Sequence, residues 1–181
     1  MAQRLRFEDL DAADRRLAEK ARDASANAYA PYSGFAVGAA VRTVSGHIYC
    51  GANLENASYG VGMCAEVAAL TAANSAGDYN VEAIAVIGHR FIEPRSLSMV
   101  VAPCGRCRQL IFEASQISKS DVRVISCNGE LSEIAVAGIS ELLPDAFGPH
   151  NLGLDEAWRG MQLELRDSVA DLAAAEEKAT A

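Results

Sequence analysis

The chain has 181 residues, half of them hydrophobic, with a formal net charge of −8 and a pI near 4.9. That length is one domain's worth and is enough to bury a sizeable core. An acidic surface repels phosphate backbones, which argues against a polynucleotide groove lined by basic and aromatic side chains.

In chain order, residues 11–27 are alanine-rich and charged, with apolar positions at helical spacing, and predict a surface helix. Pro31 and Gly34 end it. Residues 35–43 and 47–51 read as strands around Val44-Ser45-Gly46, a hairpin. Residues 64–76 predict a helix that stops near Gly77, and residues 81–88 an apolar strand. A polar connection, 90–98, and residues 99–102 lead into a second helix over 104–115. Residues 122–127 and 131–135 read as strands, and 141–143 as a helical turn before Pro144. Strands alternating with helices predict a sheet covered on its faces, and parallel pairs following the hairpin make it mixed. The expected architecture is three-layer α/β/α with a mixed five-stranded sheet, over residues 1–150.

Residues 151–181 form a helical extension. Helix propensity is high over 155–178, where Trp158, Met161, Leu165, Val169 and Leu172 recur at spacings of three to four as an apolar stripe. The stripe suits packing on its own subunit or covering a neighbour or a site entrance. Residues 176–181 are expected to fray.

Two short runs carry the chemistry: Met63-Cys64-Ala65-Glu66 and Pro103-Cys104-Gly105-Arg106-Cys107. Zinc takes four tetrahedral ligands, and a catalytic site leaves one position to water. Cys64, Cys104 and Cys107 offer three thiolates, and none of His47, His89 and His150 stands at ligand spacing from either run. Zinc lowers the pKa of bound water toward ~7. Three thiolates work against this, because they bring the site to a formal charge of minus one. Helix N-termini, which both runs open, supply partial positive charge. Arg106 or Arg108 adds a full charge. Glu66 follows a cysteine on a helix rich in alanine and leucine. Partial desolvation there favours the protonated carboxyl, as a proton shuttle requires. A lone Cys-x-x-Cys is more often a structural knuckle or a redox pair, and a lone helical Glu is usually solvated. A Cys-Ala-Glu some 40 residues before a Pro-Cys-x-x-Cys is instead the arrangement of zinc nucleobase deaminases.

Cys50 and Cys127 fall in predicted strands and are expected to be buried free thiols. The opening Met1-Ala2-Gln3-Arg4 is charged and there is no long apolar run, so the expected location is cytoplasmic, where a disulfide framework is disfavoured.

Over residues 30–148 the chain resembles the small homotetrameric cytidine deaminases. The resemblance rests on the two zinc runs together with Pro31-Tyr32-Ser33-Gly34-Phe35-Ala36-Val37-Gly38-Ala39-Ala40, Gly51-Ala52-Asn53-Leu54-Glu55-Asn56-Ala57-Ser58-Tyr59-Gly60 and, more weakly, Glu141-Leu142-Leu143-Pro144-Asp145-Ala146-Phe147. It implies that Cys64, Cys104 and Cys107 ligate zinc and that Glu66 shuttles protons. It also implies that Asn53 and Glu55 grip the ribose 3′-hydroxyl, that Phe35 lies beside the pyrimidine, and that the Ala65 backbone reads the base. Tyr59 and Phe147 would complete a neighbouring subunit's site. Asn53 and Glu55, two apart on an extended segment, share a face and offer a donor and an acceptor; turn hydrogen bonds are their other reading. Phe35 reads equally as core.

The chain departs from that family's pattern at Val67, where Arg usually follows Cys-Ala-Glu, and Arg106 is inferred to compensate the charge from the other run. Val67 together with Cys104-Gly105-Arg106-Cys107-Arg108-Gln109 also resembles blasticidin S deaminase, which lacks the Asn-x-Glu pair in this form. That pair contacts what differs between the substrates, so a nucleoside is expected. The implied activity is zinc-dependent hydrolysis of cytidine and deoxycytidine to uridine and deoxyuridine with release of ammonia, in pyrimidine salvage. The implied assembly is a homotetramer with active sites between subunits and no nucleic-acid or membrane partner. Blasticidin S or another modified cytosine is the alternative substrate. A non-catalytic zinc-stabilised binding protein would explain the cysteines but not Glu66, Asn53 and Glu55.

Overall fold

The computed structural model describes residues 2–154 and 157–180. The chain divides into two compact units, Met1–Ala146 and Phe147–Ala181. The first is built on strands β1 (Gln3–Leu5), β2 (Phe35–Thr43), β3 (Ile48–Ala52), β4 (Val81–Arg90), β5 (Arg123–Asn128) and β6 (Ile134–Gly138), in the spatial order β1-β6-β5-β4-β2-β3. β4 and β5 run parallel, joined through a helix, and the other neighbours pair antiparallel. Helices α1 (Ala12–Ser25), α2 (Ala65–Ser75), α3 (Gly105–Ser118) and the short α4 (Ile139–Leu142) complete this unit.

β4 is apolar almost throughout because both its faces are covered. Ala83, Ala85 and Ile87 pack in a cluster with Leu17, Ala18 and Ala21 of α1. Ile84 faces the other way, into a cluster with Ala65, Ala69 and Leu70 of α2 and Ile111 and Phe112 of α3. The expected three-layer α/β/α architecture is therefore present. Truncating Leu17, which is fully buried, to Ala would cost about 2–5 kcal/mol.

The expected surface helix over residues 11–27 is α1: Asp11 caps it by accepting from Asp14 N–H at 2.8 Å, one face is buried against the sheet and the other is exposed. The buried face carries Asp14, 1% exposed, whose carboxylate accepts from Arg42 Nη1 at 3.0 Å and Arg123 Nε at 2.7 Å. Arg42 Nε also donates to Glu82 at 3.0 Å. This network ties α1 to β2 and β5. On the opposite face, a Cβ at Gly51 of β3 would stand 2.5 Å from Ala65 O and Ala69 N. A bare Cα is what lets the first turn of α2 press against the hairpin.

The sheet has six strands, not the expected five. β1 is too short and too polar to announce itself by periodicity; it exists by pairing Gln3, Arg4 and Leu5 with Val136, Ala135 and Ile134. β6 starts at Ile134, beyond the expected position, because Leu131 adopts a left-handed turn (φ 67°) stitched by Asn128 to Ser132 and to Glu133 N–H. Cys127 is buried as expected, and burial pushes its thiol up to about 12. Cys50 is exposed, contrary to expectation, because β3 is the edge of the sheet.

In the second unit, a 3-10 turn (Pro149–Leu152) precedes helix α5 (Ala157–Thr180). Met161, Leu165, Val169 and Leu172 of the stripe are exposed. Asp155, the expected helix start, and the Trp158 side chain lie outside the described residues. No helix among the described residues is long and apolar enough to cross a membrane.

Candidate active site

Cys64 and Cys104 occupy equivalent local positions. Each is the N-cap of its helix, in extended backbone geometry (φ −73°, ψ 151° and φ −69°, ψ 169°), at the start of α2 and α3. Cys107 is the third residue of α3 and Glu66 the second of α2. Free N–H groups of two helices thus converge on one spot, where they favour anionic ligands. The sulfurs of Cys64, Cys104 and Cys107 all lie within 4.8 Å of one another, with Cys104 Sγ and Cys107 Sγ 3.5 Å apart. Tetrahedral zinc–thiolate bonds of about 2.3 Å require sulfurs about 3.8 Å apart. The three residues fit that ion and leave a fourth direction for a non-protein ligand.

The thiols differ electrically. Burial raises Cys64 and carries Cys107 far upward. At Cys104 burial is outweighed by backbone N–H groups, from Cys107 first and then Arg106, and by its sulfur neighbours, so its thiol is lowered. The ligand form is the thiolate, so metal binding releases protons. Glu66, 4% exposed, is raised by desolvation, against a smaller lowering by hydrogen bonds from its own backbone and Cys107. The carboxyl is held toward its neutral form beside the three sulfurs.

Arg106 reaches from α3 to Gly62 O at 3.5 Å, bridging toward the segment before Cys64. Arg108 instead donates to Pro103 O and Leu142 O, both at 2.9 Å, which fixes the turn before Cys104. Val67 is buried in α2.

Asn53 is tied to the start of β2 and Glu55 to the loop before it. Asn53 Oδ1 accepts from Val37 N–H at 2.8 Å and its Nδ2 donates to Phe35 O at 3.0 Å. Glu55 Oε2 accepts from Tyr32 and Ser33 N–H at 3.0 and 3.2 Å. These bonds reach 16 to 23 residues along the chain and are not the local turn bonds of the second reading. An amide and a carboxylate each keep further donor or acceptor capacity. Glu55 lines a cavity of about 420 Å³ with Tyr32, Ser33, Asn56, Tyr59 and Gly62. Tyr32, Ser33 and Asn56 stand within the quoted motifs, but only the fold gives them a place. Tyr59 is 80% exposed and meets Tyr32 edge-on at 6.0 Å. Ala65 is fully buried, and Phe147, in the second unit, is exposed.

Comparison with known proteins agrees with this geometry. Residues 11–122 match the family described as the cytidine and deoxycytidylate deaminase zinc-binding region. A cytidine deaminase of Halalkalibacterium halodurans is 44% identical over 133 residues, 72% of this chain and 91% of that protein. One of Mycobacterium tuberculosis is 38% identical, covering 73% and 87%. Among solved structures, cytidine deaminase from Burkholderia pseudomallei superposes with a TM-score of 0.64 at 42% identity, over 73% of this chain and 97% of that one. Zinc is the cofactor that this family and this sulfur cluster share. The chain belongs to the cytidine and deoxycytidylate deaminase family.

Proposed function

We propose that the protein hydrolyses cytidine and deoxycytidine to uridine and deoxyuridine, releasing ammonia, and serves pyrimidine salvage in the cytoplasm. The observation that carries this is the buried Glu66 beside three sulfurs that lie within 4.8 Å of one another. The relatives named above are cytidine deaminases, which weighs against blasticidin S as the substrate.

Cys64, Cys104 and Cys107 hold the zinc. When bound, zinc supplies Lewis acidity that makes a water nucleophilic near neutral pH. Glu66 as its carboxylate, made more basic by burial, takes a proton from the attacking water and gives it to ring N3. It then passes a second proton to the departing amino group. A C4–O bond forms, the C4–N bond breaks, and ammonia leaves. The N–H groups at the starts of α2 and α3 stabilise negative charge that develops on the oxygen. Arg106 offsets the charge of the third thiolate.

Asn53 and Glu55, held by their bonds to β2 and to the loop before it, present their remaining capacity to the ribose 3′-hydroxyl. Phe35 walls the pyrimidine and the Ala65 backbone reads it. Exposed Tyr59 and Phe147 suit residues that complete a neighbour's site, which supports a homotetramer with active sites between subunits.

The test is steady-state turnover of cytidine and blasticidin S by zinc-loaded protein, with Glu66→Gln as blank. Loss of cytidine that vanishes in the variant is expected. Turnover of blasticidin S alone would overturn the nucleoside reading. Sedimentation across a concentration series reads the tetramer directly. Arg106→Ala is expected to lower turnover more than Arg106→Lys.

A further inference from the structure

Gly88 is buried near the C-terminal end of β4, just ahead of the connection to Cys104. Alternation along β4 puts it on the face of Ile84, which packs with α2 and α3. It pairs with Val37 in β2 and Asn128 in β5. Phe35, two residues before Val37, is its diagonal cross-strand neighbour, within reach for an aromatic ring. A Cβ at Gly88 would lie 2.6 Å from Phe35 Cε1, 3.1 Å from Phe35 Cζ and 2.9 Å from Val101 Cγ2. Carbon atoms in contact stand about 3.5–4.0 Å apart. The Phe35 ring and Val101 therefore fill the volume that any side chain at 88 would need. Gly88 is not among the glycines with positive φ. What the site demands of residue 88 is room, and its backbone conformation is open to any residue.

Val101 lies three residues before Cys104, and its N–H donates to Cys127 O at 3.1 Å. That bond pins the segment to β5. Val101 blocks one escape for the ring, and the sheet lies beneath it. A ring displaced by a new Cβ is left with the open side of the sheet, toward the substrate.

We propose that Gly88 is a positioning residue: its bare Cα seats the Phe35 ring against β4 and so sets the depth of the pyrimidine pocket. The proposal rests on the reading of Phe35 as the wall beside the pyrimidine. A methyl group at 88 lifts the ring by about 1 Å, the difference between the built and ordinary contact distances. The base then binds less deeply, while zinc and Glu66 keep their places.

The experiment compares wild type, Gly88→Ala, Phe35→Leu and the double variant for zinc content, cytidine KM and kcat. Gly88→Ala is expected to raise KM about tenfold, within the range set by one misplaced methyl-sized contact, with zinc stoichiometry unchanged. In the Gly88→Ala background, Phe35→Leu is expected to recover much of that loss, although alone it weakens binding. A loss that is additive in the double variant, or a KM unchanged by Gly88→Ala in an active enzyme, overturns the proposal. If Gly88→Ala fails to fold, a folded and cytidine-binding double variant supports the proposal, and an unfolded one overturns it. Failure of the functional reading is distinct: wild-type turnover no greater than that of Glu66→Gln removes both.

Discussion

On the α1 face of the sheet, buried Asp14 lies 3.0 Å from Arg42 and 2.7 Å from Arg123. On the α2/α3 face, Glu66 is also buried, yet among the described residues it has no ion-pair partner; its hydrogen-bond partners are its own backbone and Cys107. A buried charge answered inside the protein is a joint between elements. A buried acid with no opposite charge beside it has a shifted protonation equilibrium, and such groups gather where chemistry is done. The two faces also differ in how they meet the sheet. α1 lies along it through a full apolar stripe, whereas α2 and α3 also aim their N-termini at a common point.

The sharpest way to break this contrast is to remove a sulfur. Cys107→Ser is expected to lower zinc stoichiometry, read by elemental analysis, from one per chain toward zero, and to abolish turnover. Full retention of both would mean that the cluster is not the metal site. Glu66→Gln should keep zinc but lower kcat by about 10²–10⁴-fold, the usual worth of a general acid–base. Asp14→Ala, on the other face, is expected to cost about 3–5 kcal/mol in urea denaturation by leaving Arg42 and Arg123 without their shared partner. Cytidine KM for the folded, zinc-loaded fraction should not move. A large change in KM would erase the distinction between scaffold and site.

The smallest effect belongs to Asp78, which follows α2 and bonds the β2–β3 hairpin. Its Oδ2 accepts from Ser45, Thr43, His47 and Tyr49 at 2.6, 2.8, 3.1 and 3.2 Å. Those bonds, from Ser45 first, hold its carboxyl below the ordinary range despite partial burial. The folded state then binds the proton less readily than the unfolded one. The resulting stability is complete above the unfolded carboxyl's pKa of about 3.9 and is lost as pH falls through the lower folded value. Asp78→Asn is expected to cost about 1 kcal/mol at pH 7. It should also flatten the acid limb of a stability profile measured between about pH 2 and 5. An unchanged limb would place the acid sensitivity elsewhere.

Much of the site was legible because its parts are local. A cysteine that caps a helix, with a glutamate two residues on, is visible in four consecutive residues, and so is the Pro-Cys-x-x-Cys run. Asn53 and Glu55 were legible as a pair, but not as the residues that hold the start of β2 and the Tyr32–Ser33 loop, because those tasks involve partners some 20 residues away. Phe35 read equally as core or as pocket wall. The contact with Gly88 that gives the ring its seat joins two strands, and no pattern along either one announces it. β1 and the exposure of Cys50 escaped for a similar reason. Both depend on which strand ends up at the edge of the sheet, a property of strand order that local periodicity does not contain.

The sequence by itself determined the helix starts, the hairpin, the covered central strand and the set of residues able to bind zinc. Each of these depends on side chains within a turn or a strand of one another. The tertiary structure decided how closely sulfurs 40 residues apart meet, within 4.8 Å, how fully Glu66 is buried, and that Asp14 has arginine partners where Glu66 has none among the described residues. Burial and proximity follow from how the sheet orders its strands and how closely α2 approaches at Gly51. Those long-range contacts are fixed by packing the whole core at once, and a local stretch of chain carries no record of them.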